Sequence, residues 1–188
     1  EYTFSDRRWL TDEDIKSTEA IEMNALGFHI PGRFDKILDI EHCYLQADPS
    51  NTIRNEVRAY ALANDISFYN LKNHEGALRN LIIRTSSINE LMVIVVFAYA
   101  TEEQIDNMMH FMKERFPELT SLLYIVNQKK NDTIFDQDIH LFAGRDHIFE
   151  QMGHLKFKIG AKSFYQTNSI QAYELYKITK EFAAFKGD

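Results

Sequence analysis

The chain is 188 residues long, 45% hydrophobic and 26% charged, the makeup of a globular protein of one ordinary domain, or of a larger and a smaller lobe. Its net charge of −7 excludes a general nucleic-acid coat, which gains affinity from surplus Lys and Arg, but leaves room for a local basic face. The lone Cys43 excludes an intrachain disulfide and fits a reducing, cytoplasmic setting; no signal peptide is read, and the longest apolar run, residues 91–98, is of strand rather than membrane-span length.

The chain enters a strand-like alternation directly, over residues 1–5, without an initiator Met, and it closes on Gly187 just after a helical pattern. Both ends read as cut from something longer. Arg7, Arg8 and Trp9 form a cation–aromatic cluster that can stack on a base, although a surface Trp with snorkelling arginines is the simpler reading. Residues 11–20 are acidic and polar and read as a loop or a short helix. Residues 25–30 and 36–40 read as strands of a hairpin around the Pro31-Gly32 turn, with His29 a surface or edge residue. Cys43 reads as a small buried apolar residue; His42 beside it lacks the paired spacing of a zinc site. Asp48 as N-cap and Pro49 at the first helical position open a helix whose apolar stripe is Ile53, Val57, Tyr60 and Ala61. Arg54 and Arg58 lie on another face, read as solvated, with a phosphate contact as the alternative.

Asn73-His74-Glu75-Gly76 is a turn, followed by strands over residues 78–85 and 91–99. The second is apolar throughout 91–98 and so is expected to be central and covered on both faces. Thr101-Glu102-Glu103-Gln104 is a capping box, and Ile105, Met108, Met109, Met112 and Phe116 form the core stripe of a helix ended by Pro117. A strand over 121–127 then implies a right-handed parallel crossover from 91–99. Residues 127–132 read as a polar turn and 139–142 as a further strand. Gly144-Arg145-Asp146-His147 reads as a turn; neighbours on an extended chain point to opposite sides, which argues against an Asp146–His147 dyad.

Leu155, Phe157 and Ile159 alternate with Lys156 and Lys158 in the pattern of a half-buried strand. Lys156, Lys158 and Lys162 can form a basic stripe beside Phe164, the combination that single-stranded RNA binding uses. Downstream, Leu175, Ile178, Phe182 and Phe185 recur at helical spacing, with Asn168 and Gln171 placed as a capping box. Between them lies Ser163-Phe164-Tyr165-Gln166-Thr167-Asn168, an aromatic pair and an amide at a strand-to-helix switch, where ligands often bind. Spacing alone makes Phe164 and Tyr165 core and Gln166 a polar loop residue. The elements predict an α+β fold: a mixed, largely antiparallel sheet with helices packed on it, without internal repeats or low-complexity linkers.

Three stretches carry a resemblance. Residues 164–168, after Lys156-Phe157-Lys158-Ile159-Gly160, resemble the Phe-x-Gln-x-Asn signature of the RNA uracil-C5 methyltransferases, S-adenosylmethionine enzymes that modify uridine in ribosomal and transfer RNA. Residues 76–84 are similar to a further stretch of that family. Leu26-Gly27-Phe28-His29 with Asp39-Ile40-Glu41-His42-Cys43 resembles the segment bearing the last of four cysteine ligands to a [4Fe-4S] cluster, which only some members hold.

The resemblance implies that residues 1–162 are a central RNA-handling domain. Residues 163–188 would begin a Rossmann-like, S-adenosylmethionine-dependent domain that lies outside this chain. It implies that Phe164 packs near the target base and that Gln166 contacts the methyl donor or the uracil. Arg79 and Arg84, with Lys156, Lys158 and Lys162, become candidates for RNA contact. Cys43 becomes a fourth cluster ligand without its three partners, so that this chain alone holds no cluster. Its context leans toward 23S rRNA over tRNA as the partner; no membrane and no obligate protein partner is implied. Of the seven glycines no two are spaced G-x-G, and Cys43 stands outside the context of the family's nucleophile, so these residues are expected to be inactive alone. A reading of another class is a stand-alone interaction module that offers its sheet face to a protein partner, motivated by the net charge of −7. A complete small enzyme using His147, Asp146 and Lys162 rests on nothing but their proximity in the chain.

Overall fold

Strand β5 (Leu91–Phe97) has every residue buried, and its alternating side chains feed two separate cores. The structure is a computed structural model and describes residues 1–184. Preceding β5 are β1 (Tyr2–Ser5), α1 (Asp12–Lys16), β2 (Ala25–Ile30), β3 (Arg33–Asp39), α2 (Ser50–Ala63) and β4 (Leu78–Thr85). After it come α3 (Glu102–Arg115), β6 (Ser121–Val126), β7 (His140–Gly144), β8 (His147–Met152), β9 (Leu155–Gly160) and α4 (Ser169–Ala183). Seven strands form one sheet in the order β3-β2-β1-β4-β5-β6-β7, and β8 and β9 pair as a separate hairpin. Only β5 and β6 run parallel in the large sheet, with α3 as their connection; every other pairing is antiparallel. The predicted α+β class and its parallel step are what the structure has.

On one face, Leu91, Val93, Val95 and Phe97 meet Ile53, Val57 and Ala61 of α2 and Met108, Met109 and Met112 of α3. Helix α3 begins as expected: the Thr101 hydroxyl accepts from the Gln104 N–H, and the Gln104 side chain accepts from the Thr101 N–H. Acidic Glu102 and Glu103 in its first turn and basic Lys113 and Arg115 in its last complement the helix dipole. On the opposite face, Met92, Ile94 and Val96 join Ile82, Leu123 and Ile125, and this layer is closed by Ile148, Ile159 and Ala161. The small hairpin is therefore the second cover of the sheet. That removes the sheet face over β4 to β6 as a free surface for a protein partner.

Four local expectations change. Helix α2 starts at Ser50, because the Pro49 carbonyl already accepts from the Ile53 N–H; Pro49 takes the cap position and Asp48 gives no side-chain cap. Strand β3 begins at Arg33, since the turn closes over only two residues with Gly32 at φ +75. Strand β8 is absent from the expected elements: Ile148, Glu150 and Met152 do alternate, but a carboxylate at an inward position hides the period. Arg54 and Arg58 are not a solvated face. Arg54 is fully buried and donates to the Ile40 carbonyl (3.0 Å) and to Asn51 Oδ1 (3.0 Å), while Arg58 donates to the Asn24 carbonyl (2.8 Å) and pairs with Asp39 (3.0 Å). Together they pin α2 to the ends of the β2–β3 hairpin. No helix among the described residues is long and apolar enough to cross a membrane.

Arg54→Ala strands a buried carbonyl and an amide and leaves a cavity, so it should cost about 2–4 kcal/mol. The urea unfolding midpoint reads this directly; an unchanged midpoint would return Arg54 to the solvated class.

Candidate functional site

The chain leaves β9 through a turn that is tied in several directions. The Ser163 N–H donates to the Gly160 carbonyl (3.1 Å), and the Gly160 N–H donates to Ser163 Oγ (3.0 Å). From β4, Arg84 Nη1 donates to both the Gly160 carbonyl (3.2 Å) and the Ser163 carbonyl (2.7 Å). Burial lowers the pKa of this guanidinium and the charge of Glu1 opposes that shift. Ala161 is buried in the second core between these two anchor points.

Beyond the anchored turn the aromatic pair divides. Phe164 is 86% exposed, and Gln166 and Thr167 beside it are exposed as well. Tyr165 turns back, packs against the second core and sits 5.8 Å from the Phe157 ring. Its hydroxyl is buried without a hydrogen-bond partner, and burial, with the Glu150 charge adding, raises its pKa. Of the two aromatics expected in the core, only Tyr165 is there. Asn168 Oδ1 then accepts the Gln171 N–H (3.0 Å) and starts α4 as a side-chain cap, without the return bond of a full capping box.

Helix α4 presents an unexpected face. It packs through Ala172 and through Tyr173, whose hydroxyl would lie 2.9 Å from a Cβ at Gly153 in the β8–β9 turn. Leu175, Ile178 and Phe182, the apolar stripe read from the sequence, are exposed; Phe185 lies outside the described residues.

The hairpin beneath the turn is seated by two carboxylates. Glu150 is buried and accepts from the Ser87 N–H (3.1 Å) and the Ser87 hydroxyl. Glu90 accepts from the Phe149 N–H (2.6 Å) and pairs with Arg145 (2.6 Å). Burial pushes the Glu90 carboxyl up, but the Arg145 guanidinium and the Phe149 N–H outweigh it and hold the group below its usual range.

The expected basic stripe splits in two. Lys156 and Lys158 are exposed on β9, whereas Lys162 turns aside and donates to the Gln137 carbonyl (2.7 Å). Lys162 lines an open groove of about 470 Å³ with Leu123, Ile139, Leu141 and Asp146. Asp146 and His147 do meet (Oδ1 to Nδ1, 2.5 Å), because Asp146 lies in the turn before β8 and its side chain can fold onto the ring. The His147 hydrogen bond, helped by Lys158, holds Asp146 below the usual carboxylate range.

Arg79 corrects the other arginine expectation. It is 1% exposed: Nε and Nη2 both reach Asp132 (3.0 and 2.7 Å), Nη1 reaches the Asn127 and Lys129 carbonyls, and its Cζ lies 4.6 Å from the centre of the Tyr69 ring. Such a guanidinium fastens β4 to the loop after β6 and offers nothing to a phosphate. Arg7 and Arg8 are likewise committed, to Asp35 (3.1 Å) and Asp14 (3.1 Å).

Cys43 is buried, and its N–H donates to Asn51 Oδ1 (2.7 Å). No group of three or more His, Cys, Asp or Glu side chains able to hold a metal ion occurs among the described residues. One thiol falls short of the four thiolates of a [4Fe-4S] cluster, so these residues do not fit that group.

No family model matches the chain. Relatives do. An uncharacterized RNA methyltransferase of Bacteroides thetaiotaomicron is 56% identical over 191 residues, which is 100% of this chain and 42% of that protein. Another from Porphyromonas gingivalis is 50% identical over 194 residues, with the same two shares. The crystal structure of Pyrococcus abyssi tRNA (uracil-54, C5)-methyltransferase in complex with S-adenosyl-L-homocysteine is similar with a TM-score of 0.68 and 28% identity, over 84% of this chain and 38% of that one. The chain belongs to the RNA uracil-C5 methyltransferase family. It spans about two-fifths of the length of the curated relatives it matches. Within this family member, the residues that carry the Phe-x-Gln-x-Asn resemblance form an outward turn gripped by Arg84. Arg84, expected on RNA, instead holds backbone; its place two residues after Ile82, on the β4 face that the hairpin covers, is the one sign in the sequence of an inward role.

Arg84→Ala should leave the fold intact but speed amide exchange across residues 163–168, by about tenfold for the loss of roughly 1.5 kcal/mol of charged hydrogen bonding. Arg84→Lys should rescue only part of this, since the flexible, strongly hydrated ammonium loses more on being held between two carbonyls than the planar Nη1 group does. The Glu90 contribution has a defined sign: its folded-state pKa lies below the unfolded one, so its stabilisation is present above the ordinary carboxylate range and is lost as pH falls through the folded value. Protection of the Phe149 amide should therefore persist through the ordinary carboxylate range and drop only at more acid pH, and Glu90→Gln should flatten that acid limb.

Proposed function

We propose that these residues are the RNA-handling part of an S-adenosylmethionine-dependent RNA uracil-C5 methyltransferase, presenting a uridine to chemistry carried by the rest of the polypeptide. The observation that carries this reading is the signature turn. Its backbone is fixed by Arg84 while Phe164 and Gln166 project into solvent, an arrangement suited to contacts made outside the domain rather than within it. The family's methyl donor supplies an electrophilic methyl group when bound; Gln166 would offer an amide to the donor or to the uracil edge, and Phe164 an aromatic face to the target base. The nucleophile and the Gly-rich turn belong to segments beyond this chain, so the chain alone is inactive.

Residues 1–162 form the RNA-handling unit in this reading, and α4 begins the catalytic one. The exposed Leu175, Ile178 and Phe182 support that division, because such a stripe is stable only when covered. Lys156 and Lys158 are the RNA-facing cations, and Arg84 acts by positioning. The substrate is ribosomal or transfer RNA: the Cys43 segment favours 23S rRNA, while the Pyrococcus abyssi neighbour is a tRNA enzyme. Any [4Fe-4S] cluster in the whole protein would draw three ligands from outside these residues. The site of action is cytoplasmic, where these RNAs are used.

The test is methyl transfer from radiolabelled S-adenosylmethionine to 23S rRNA and to tRNA transcripts by the full-length enzyme. Gln166→Ala should lower the rate about 10–100-fold, the worth of one or two transition-state hydrogen bonds, without moving the melting temperature. Absence of transfer to either RNA by the unaltered enzyme would overturn the proposal; normal turnover of the variant would remove Gln166 from it.

A further inference from the structure

The solvent side of the β8–β9 hairpin holds a cluster that neither core uses. Alternation sends Ile148, Glu150 and Met152 toward the sheet and leaves His147, Phe149 and Gln151 on the other side. The register sets Phe149 opposite Lys158 and Gln151 opposite Lys156. Lys156 Nζ lies 4.1 Å from the centre of the Phe149 ring, and Arg145 Cζ lies 5.4 Å from it. The His147 ring stands edge-on to Phe149, at 4.9 Å and 85°. Two carboxylates face this group. Glu90 is committed to Arg145 and the Phe149 N–H, and Asp146 to His147, with Lys158 3.7 Å away. Lys156 has no carboxylate partner among the described residues.

Packing does not account for an outward aromatic ring collecting cations on a two-stranded ribbon whose inner side already makes the core. An aromatic face, a planar guanidinium and mobile ammonium groups are what an unpaired base and its phosphates require. A duplex hides its base faces, and an acidic peptide would use the cations but not the ring. In a chain of net charge −7, attraction for a polyanion must be local, and Lys156 with Lys158 supplies it.

We propose that this hairpin face binds single-stranded RNA. A base stacks on Phe149 in the place the Lys156 side chain now occupies, Arg145 extends the stacking surface, and the displaced Lys156 ammonium joins Lys158 on the flanking phosphates. The proposal rests on the RNA methyltransferase reading and adds a surface separate from the signature turn.

The test uses the full-length protein and a fluorescein-labelled octamer of uridine, read by fluorescence anisotropy across a salt series. Phe149→Leu keeps the apolar bulk and removes the π face; it should weaken binding about tenfold. Lys156→Gln with Lys158→Gln should reduce the slope of log affinity against log salt by about 1.4, from two phosphate contacts. Lys156 and Lys158 are exposed, and Phe149, half-buried, belongs to neither core, so melting temperatures should change little. Unaltered protein that binds the octamer while both sets of variants bind equally well would overturn this surface and leave the methyltransferase reading standing. No octamer binding by the unaltered protein, with methyl transfer to a transcript intact, would overturn the surface alone; loss of both would overturn both. A glutamate-rich peptide bound as tightly as the RNA, and equally by Phe149→Leu, would assign the face to a protein partner instead.

Discussion

The two-sided burial of β5 is the constraint behind the whole arrangement. A strand with Leu91, Val93, Val95 and Phe97 on one side and Met92, Ile94 and Val96 on the other needs a cover on each. Each such side chain contributes roughly 1.5–3 kcal/mol when fully buried, so neither face can be left wet. Helices α2 and α3 close the first. The second is closed by the β8–β9 hairpin, the part of the chain that leads into the signature turn. The turn's position is thus a consequence of sealing a core, and its backbone inherits the rigidity of the sheet it covers.

Arginine in this protein works mostly inward. Arg54, Arg79 and Arg84 each donate to one or two backbone carbonyls of a segment distant from them in sequence, and Arg79 adds a carboxylate and an aromatic face. A guanidinium suits this work because its planar fork satisfies several acceptors at once and its charge stays on when desolvated. A negative overall balance leaves few cations for a polyanion, and burying arginines leaves fewer. Among the exposed cations, Lys156 and Lys158 sit together on one hairpin beside the Phe149 ring, which is where the proposed pull on RNA is local.

The exposed features also fall into a pattern. Phe164, Gln166 and the Leu175–Ile178–Phe182 stripe succeed one another along the chain and all point away from the body that anchors them. Such surfaces are expected where one part of a larger protein meets another, and the relatives are more than twice as long as this chain. Tyr165 is the counterweight. Its ring, turned back into the second core, keeps the turn from detaching while its neighbours reach outward.

The elements with strong local codes were legible in the sequence. The capping box of α3, the Met stripe, the apolar β5, the parallel step into β6 and the Pro31-Gly32 hairpin all depend on interactions within a few residues or on one period, which a linear pattern carries. The family resemblance likewise lay in contiguous residues. Only the tertiary structure decided which polar groups were satisfied internally. Arg54, Arg79 and Arg84 look like any exposed arginine until the carbonyls of residues 40, 127 and 160 are brought beside them. It also decided that Glu150 faces inward onto Ser87, which disguised β8, that Tyr165 and Phe164 part company, and that α4 turns its apolar stripe outward. Each of these depends on contacts between residues distant in the chain, or on a cover the chain does not itself supply, and neither is encoded in spacing.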